Sequence, residues 1–193
     1  LDSDAFSGCH NLKACSIGLN TVISVDANSV FANTPKLKTI IIPLGAGNDK
    51  HENGWGPFFM YSNAEVISFD ISSTTVNLSY LGGTHSSDNY ATYGRSLKYL
   101  TLSPYLSKCL VSLSIMPSLK QLTIPDFYPI TLGSLTCISC NNLTKINLPK
   151  SVTFANYGQV KFLACPTLKK IIIPEGITTL SNYSFGSFTP YLM

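Results

Sequence analysis

Charge is scarce in this chain. Of its 193 residues, 13 are Lys or Arg and 10 are Asp or Glu, 12% together, which is about half the usual share for a soluble protein. The net charge of +3 is too small and too dispersed for a nucleic-acid-binding protein, so no nucleic-acid partner is expected. Long apolar runs are missing too. Runs such as Ile40-Ile41-Ile42 and Ile171-Ile172-Ile173 are strand-sized, far short of the roughly 20 residues that cross hydrocarbon, so no membrane span is expected. Leu1-Asp2-Ser3-Asp4 has neither the basic start nor the apolar middle of a signal peptide. The three histidines, His10, His51 and His85, form no i, i+4 metal pair, and no G-x-S-x-G elbow, P-loop or H-E-x-x-H occurs. The acids Asp49, Glu52, Glu65, Asp70 and Asp88 have no fixed separation that would make an acid/base pair. The chain is expected to have no catalytic residues, no cofactor and no metal, and not to be an enzyme. What it has is 45% hydrophobic residues, which excludes intrinsic disorder.

Those apolar residues recur. Leu37-Lys38-Thr39-Ile40-Ile41-Ile42-Pro43, Leu119-Lys120-Gln121-Leu122-Thr123-Ile124-Pro125, Leu143-Thr144-Lys145-Ile146-Asn147-Leu148-Pro149 and Leu168-Lys169-Lys170-Ile171-Ile172-Ile173-Pro174 share one pattern. An apolar residue is followed by two free positions, an apolar, a free position, an apolar and a proline. Weaker copies are Leu12 with Cys15 and Ile17, Val66 with Phe69 and Ile71, and Leu97 with Leu100 and Leu102. The leading positions 12, 37, 66, 97, 119, 143 and 168 are separated by 25, 29, 31, 22, 24 and 25 residues. Repeats of this period signal a solenoid.

The pattern is that of a strand with one buried face. Alternate side chains of an extended segment share a face, so the fourth and sixth residues of each copy point inward. Stacked copies place Ile40, Phe69, Leu100, Leu122, Ile146 and Ile171 in one ladder. Equivalent returns between copies make the strands parallel, and proline, lacking an N–H, ends each one. The triplets 15–17, 40–42, 69–71, 100–102, 122–124, 146–148 and 171–173 are predicted to form one parallel sheet. A second marker precedes each copy: six residues upstream stand Phe6, Phe31, Met60, Ala91, Leu113, Cys137 and Phe162, and three upstream Cys9, Thr34, Asn63, Gly94, Met116, Cys140 and Cys165.

With Phe6-Ser7-Gly8-Cys9-His10-Asn11-Leu12 and Phe162-Leu163-Ala164-Cys165-Pro166-Thr167-Leu168 joined to the downstream Ile-x-Ile-Pro, the chain resembles the BspA-like leucine-rich repeat family along essentially all its length. The resemblance implies a curved parallel β-solenoid of about seven repeats with little helix, one domain over residues 1–193 and a fragment of a longer array. It also implies a protein-binding role, that of a cell-surface or secreted adhesin of bacteria or parasitic protists whose partner is a host or matrix protein. The alternative is an intracellular structural scaffold, for example cytoskeletal, whose partner is an assembly neighbour. Both ends enter repeats without polar caps, so further repeats or a partner are expected to cover them.

The remaining features have two readings each. Cys137-Ile138-Ser139-Cys140 has zinc-knuckle or redox spacing, but both cysteines fall on apolar repeat positions. Cys9, Cys140 and Cys165 are therefore expected to be reduced, buried and metal-free. Lysine follows the leading leucine at Lys13, Lys38, Lys98, Lys120 and Lys169, either as a solubilising rim or as an anion-binding stripe. The two long intervals hold clustered aromatics, and interfaces favour such side chains. Trp55, Phe58, Phe59, Tyr61, Tyr90, Tyr93 and Tyr99 are the candidate partner-binding residues, with the alternative that Trp55 and Phe58 fold back to seal a widened turn. Asn77, Asn142 and Asn182 begin N-x-Ser/Thr sequons that matter only in a eukaryotic secretory route.

Overall fold

The structure, a computed structural model, describes residues 1–18, 21–24, 27–42, 57–59, 61–69, 75–77, 96–102, 108–114, 116–126, 130–154, 160–175, 177–178 and 180. Along them run β1 (Ala14–Ser16), β2 (Thr39–Ile42), β3 (Val66–Phe69), β4 (Thr75–Asn77), β5 (Tyr99–Thr101), β6 (Lys108–Ser114), β7 (Gln121–Thr123), β8 (Ile130–Ile138), β9 (Lys145–Asn147), β10 (Val152–Phe154) and β11 (Val160–Leu163). The one helical element among the described residues is a 3-10 turn, Pro57–Phe59.

The Ile-x-Ile strands stack as expected into a six-stranded parallel sheet in the order β1-β2-β3-β5-β7-β9. Its register aligns Cys15, Ile40, Ile67, Leu100, Leu122 and Ile146. Ile40, Ile67, Leu100 and Leu122 are buried, as are Ile17, Ile42, Leu102 and Ile124 at or just past the strand ends. The ladder stops where proline removes the next donor: Ile124 N–H still donates to Asn147 O, at 2.9 Å, and Pro125 has none to give.

Two expectations about this sheet are corrected. In the third copy it is Ile67, not Phe69, that lies beside Ile40, while Phe69 pairs with Ile42. Buried Ala64 therefore holds the leading position given to Val66, and the long intervals become 27 and 33 residues. A slip of two residues keeps every side chain on its own face, so apolar alternation could not expose the error. In the seventh copy, residues 171–173 are not strand. Ile171 packs partly against the core, but Ile172 is 68% and Ile173 41% exposed. Leu168 and Cys165 remain buried, so the copy keeps its corner and loses its strand.

The returns form a second parallel sheet, ordered β10-β8-β6-β4 with β11 also on β8. Here the upstream markers Leu113, Cys137 and Phe162 lie side by side, which is the register their spacing required. An extra residue, Gly133, makes a β-bulge opposite the Cys109–Leu110 step. Between the two sheets lies one continuous apolar core. At its other end Phe6 stacks on Phe31 at 5.4 Å, and Phe31 meets Phe58 edge-on at 5.6 Å.

Five corners among the described residues each use one residue with left-handed backbone: Gly8, Asn33, Tyr61, Ser139 and Ala164, with φ from 50 to 73°. The next residue is the small one of the motif. Thr34 Oγ1 donates to Phe31 O at 2.5 Å, Cys140 Sγ to Leu113 O at 3.6 Å and Cys165 Sγ to Cys137 O at 3.6 Å. A short donor side chain at this position reaches a backbone carbonyl of its own turn or of the neighbouring rung.

Candidate functional site

Three columns of side chains run up the outer side of the six-stranded sheet. The column nearest the corner follows the leading residue: Lys13, Lys38, Glu65, Lys98, Lys120 and Thr144. Its backbone is itself a ladder, in which Lys38 N–H donates to Lys13 O, Glu65 N–H to Lys38 O, Lys98 N–H to Glu65 O, Lys120 N–H to Lys98 O and Thr144 N–H to Lys120 O. The middle column is Ala14, Thr39, Val66, Tyr99, Gln121 and Lys145, and the third is Ser16, Ile41, Ser68, Thr101, Thr123 and Asn147.

The third column is uncharged and partly tied together. Gln121 Nε2 donates to Thr123 Oγ1 at 2.8 Å, and Asn147 Nδ2 donates to the same oxygen at 3.4 Å. Ile41, 37% exposed, belongs to this column, and Tyr99, 42% exposed, stands beside it in the middle column. An apolar and aromatic centre with a charged border matches the anatomy of a protein-binding patch.

Glu65 changes the lysine rim. Its carboxylate accepts from Lys38 Nζ at 2.5 Å with one oxygen and from Lys98 Nζ at 2.8 Å with the other. The hydrogen bonds from Lys38 and then Lys98 pull its pKa from the ordinary 4.5 down to about 2. Five lysines were legible as a column from the sequence alone. The acid among them was not, because the two-residue slip in the third copy placed Glu65 before the strand corner instead of after it. The signal that could have found it was the pair Ala64-Glu65, read as a copy with a small leading residue.

The predicted aromatic residues separate. Phe58 and Phe59 are fully buried, 5.1 Å apart and edge to face, so they fill the core under the third corner and present nothing to a partner. Tyr61 is 53% exposed and is the left-handed residue of that corner. Trp55, Tyr90 and Tyr93 lie outside the described residues.

Cysteine divides similarly. Cys137, Cys140 and Cys165 are buried and free, whereas Cys9 is exposed, contrary to expectation, and Cys15 half-buried. A hydrogen bond with Cys137, reinforced by burial, raises the Cys140 thiol to about 12, against an opposing contact with Cys165. A hydrogen bond with Cys140 and then burial raise Cys165 as well. Buried thiols held this far from ionisation are poor nucleophiles. Among the described residues, no group of three or more His, Cys, Asp or Glu side chains is placed to hold a metal ion, and no helix is long and apolar enough to cross a membrane.

The family model for the BspA type leucine-rich repeat region matches residues 1–101 and 58–190, with six copies. The chain belongs to this family. Neither the comparison with curated proteins nor that with solved structures returned a match. BspA-type repeats are typically non-enzymatic modules, commonly protein-binding and often surface-associated in bacteria. The match has six copies where the apolar spacing suggests seven, and six is also the number of strands in the outer-facing sheet.

Proposed function

We propose that this BspA-type solenoid is the protein-binding module of a cell-surface adhesin, and that it engages its partner with the outer face of the six-stranded sheet. The observation that supports this most is Tyr99. It stands exposed on a central rung, with Val66 and Gln121 on either side in its column, and a rigid exposed aromatic at the centre of a patch is the commonest kind of hot spot. Ile41 extends the apolar part of the face. Trp55, Tyr61, Tyr90 and Tyr93 stay in the same proposal as candidate partner-binding residues.

Binding of the immobilised chain to a panel of soluble matrix proteins tests the reading. Tyr99→Ala is expected to weaken the interaction by about 2 kcal/mol, roughly 30-fold, without changing the melting temperature. Unchanged affinity in Tyr99→Ala and Thr123→Arg, together with loss in Lys161→Glu on the second sheet, would place the interface elsewhere. A scaffold role inside a cell is the second reading. The free cysteines among the described residues, Cys9, Cys15, Cys137, Cys140 and Cys165, favour it, since a reducing compartment keeps thiols unpaired. Accessibility of the chain to a membrane-impermeant label on intact source cells separates the two.

A further inference from the structure

The lysine column contains the same order of residues twice. On consecutive rungs it runs Lys38–Glu65–Lys98, the next two rungs carry Lys120 and Thr144, and Lys169 holds the same repeat position in the copy after them. In the first triplet the central carboxylate accepts from both flanking ammonium groups. In the second the central residue is a threonine. Its N–H and Oγ1 both donate to Lys120 O, so Thr144 sits in the column as Glu65 does. The copy carrying Lys169 is held one rung further on, by the Thr167 hydroxyl donating to Leu143 O at 2.8 Å and Asn141 O at 3.0 Å.

The second triplet is also the more cationic. Lys145 lies beside Thr144 on the outer face, and Lys170 holds the repeat position of Lys145 one rung on. Lys120, Lys145, Lys169 and Lys170 are all exposed. The ion pairs among the described residues are those of Glu65 with Lys38 and Lys98, so none of these four has an acidic partner there. The nearby acids do not serve them. Asp126 and Glu175 fall on the far edge of the sheet, past the prolines, where Asp126 accepts from the Lys150 N–H at 2.9 Å. Like charges on adjacent rungs, about 4.8 Å apart, repel each other.

We propose that Lys120 and Lys169 receive a carboxylate from outside the chain, seated over Thr144 as Glu65 is seated between Lys38 and Lys98, and that its source is an acidic polypeptide segment of the protein partner. Lys145 and Lys170 extend the site for a second acidic side chain. The Glu65 triplet is the template: it demonstrates that lysines two rungs apart in this column converge on one carboxylate. A polypeptide fits better than a diffuse polyanion because the lysines border the uncharged, Tyr99-bearing face, which a partner protein would cover at the same time. The inference rests on the protein-binding reading and adds to it the chemistry of the partner.

Fluorescence anisotropy with a labelled decaglutamate peptide, and decaglutamine as control, tests the site directly. Decaglutamate is expected to bind the intact chain and decaglutamine not to. Thr144→Glu, which supplies the missing carboxylate from within, is expected to weaken decaglutamate at least tenfold with the melting temperature held or raised. Lys120→Ser with Lys169→Ser should do the same, and Glu65→Gln should strengthen binding about twofold by opening the first triplet. An unchanged affinity in Thr144→Glu would overturn the proposal. So would an equal loss in Lys13→Ser or Lys161→Ser, which would reduce the effect to net charge. Preferential binding of heparin through these lysines, with no binding of decaglutamate, would reassign the site to a sulfated polysaccharide and overturn it as well. Because Tyr99→Ala tests the outer-face reading independently, failure of Thr144→Glu alone leaves that reading standing.

Discussion

Glu65 occupies, one rung on, the repeat position of Lys38, and its carboxylate accepts from the Lys38 ammonium at 2.5 Å. With Lys98 on its other side, one acid relieves the repulsion of two stacked lysines. Because hydrogen bonding to both holds the Glu65 pKa down at about 2, the stabilisation is complete above the ordinary carboxylate value of 4.5. It is lost as the pH falls from there through about 2. Urea denaturation of the intact chain and of Glu65→Gln across pH 2 to 7 checks this. The gap between the two is expected to be constant above about pH 5, to close in the acid limb, and to narrow in high salt, since the groups are partly exposed.

The middle of the inward ladder is the most sensitive point of the fold. Leu122 is fully buried between Leu100 and Ile146. Leu122→Ala is expected to cost about 2–5 kcal/mol by cavity formation, and Leu122→Asp more, through an unpaired buried charge. Chemical denaturation measures the first. The second is expected to show as loss of cooperative unfolding or of soluble expression.

Thiol labelling of the native chain should be graded. Cys9 is exposed and is expected to react first, with half-buried Cys15 slower because burial raises its pKa. Cys140 and Cys165 should stay unlabelled until the chain unfolds. Mass spectrometry after a short pulse of iodoacetamide reads the order. Rapid native labelling of Cys165 would contradict the packing described.

Two neighbouring aromatics should behave oppositely. Phe58→Ala is expected to destabilise by about 3–5 kcal/mol, as for a buried aromatic, because it removes the edge contact with Phe31 and leaves a cavity. Tyr61→Ala is expected to stay within about 0.5 kcal/mol of the parent, as surface changes do. The difference in melting temperature between the two variants is the measurement.

The corners offer a way to raise stability. Ala164 has φ of 50°, a backbone region that costs an L side chain about 1–2 kcal/mol. Gly8 already serves the equivalent corner of the first copy. Ala164→Gly is expected to raise stability by about 0.5 kcal/mol, the relief of strain exceeding the added chain entropy. A loss in thermal melting would mean that the Ala164 methyl group packs usefully.

Much of this was already written in the order of the residues. The parallel stack, its inward ladder at Ile40, Leu100 and Leu122, the proline stops and the in-register Leu113, Cys137 and Phe162 all follow from one rule. A strand with one apolar face must find an equal neighbour, and a fixed repeat supplies one. Local periodicity is enough for that, because each rung depends only on the next. Tertiary structure decided what depends on how many residues each return holds. It moved the third copy by two residues, put Ala64 and Phe58 into the core and Glu65 among the lysines, and left Ile173 and Cys9 in the open. Apolar alternation repeats every two residues and cannot register a slip of two. Only the packing of the return over Phe31, and the pairing of Ile67 with Ile40, distinguishes the alternatives.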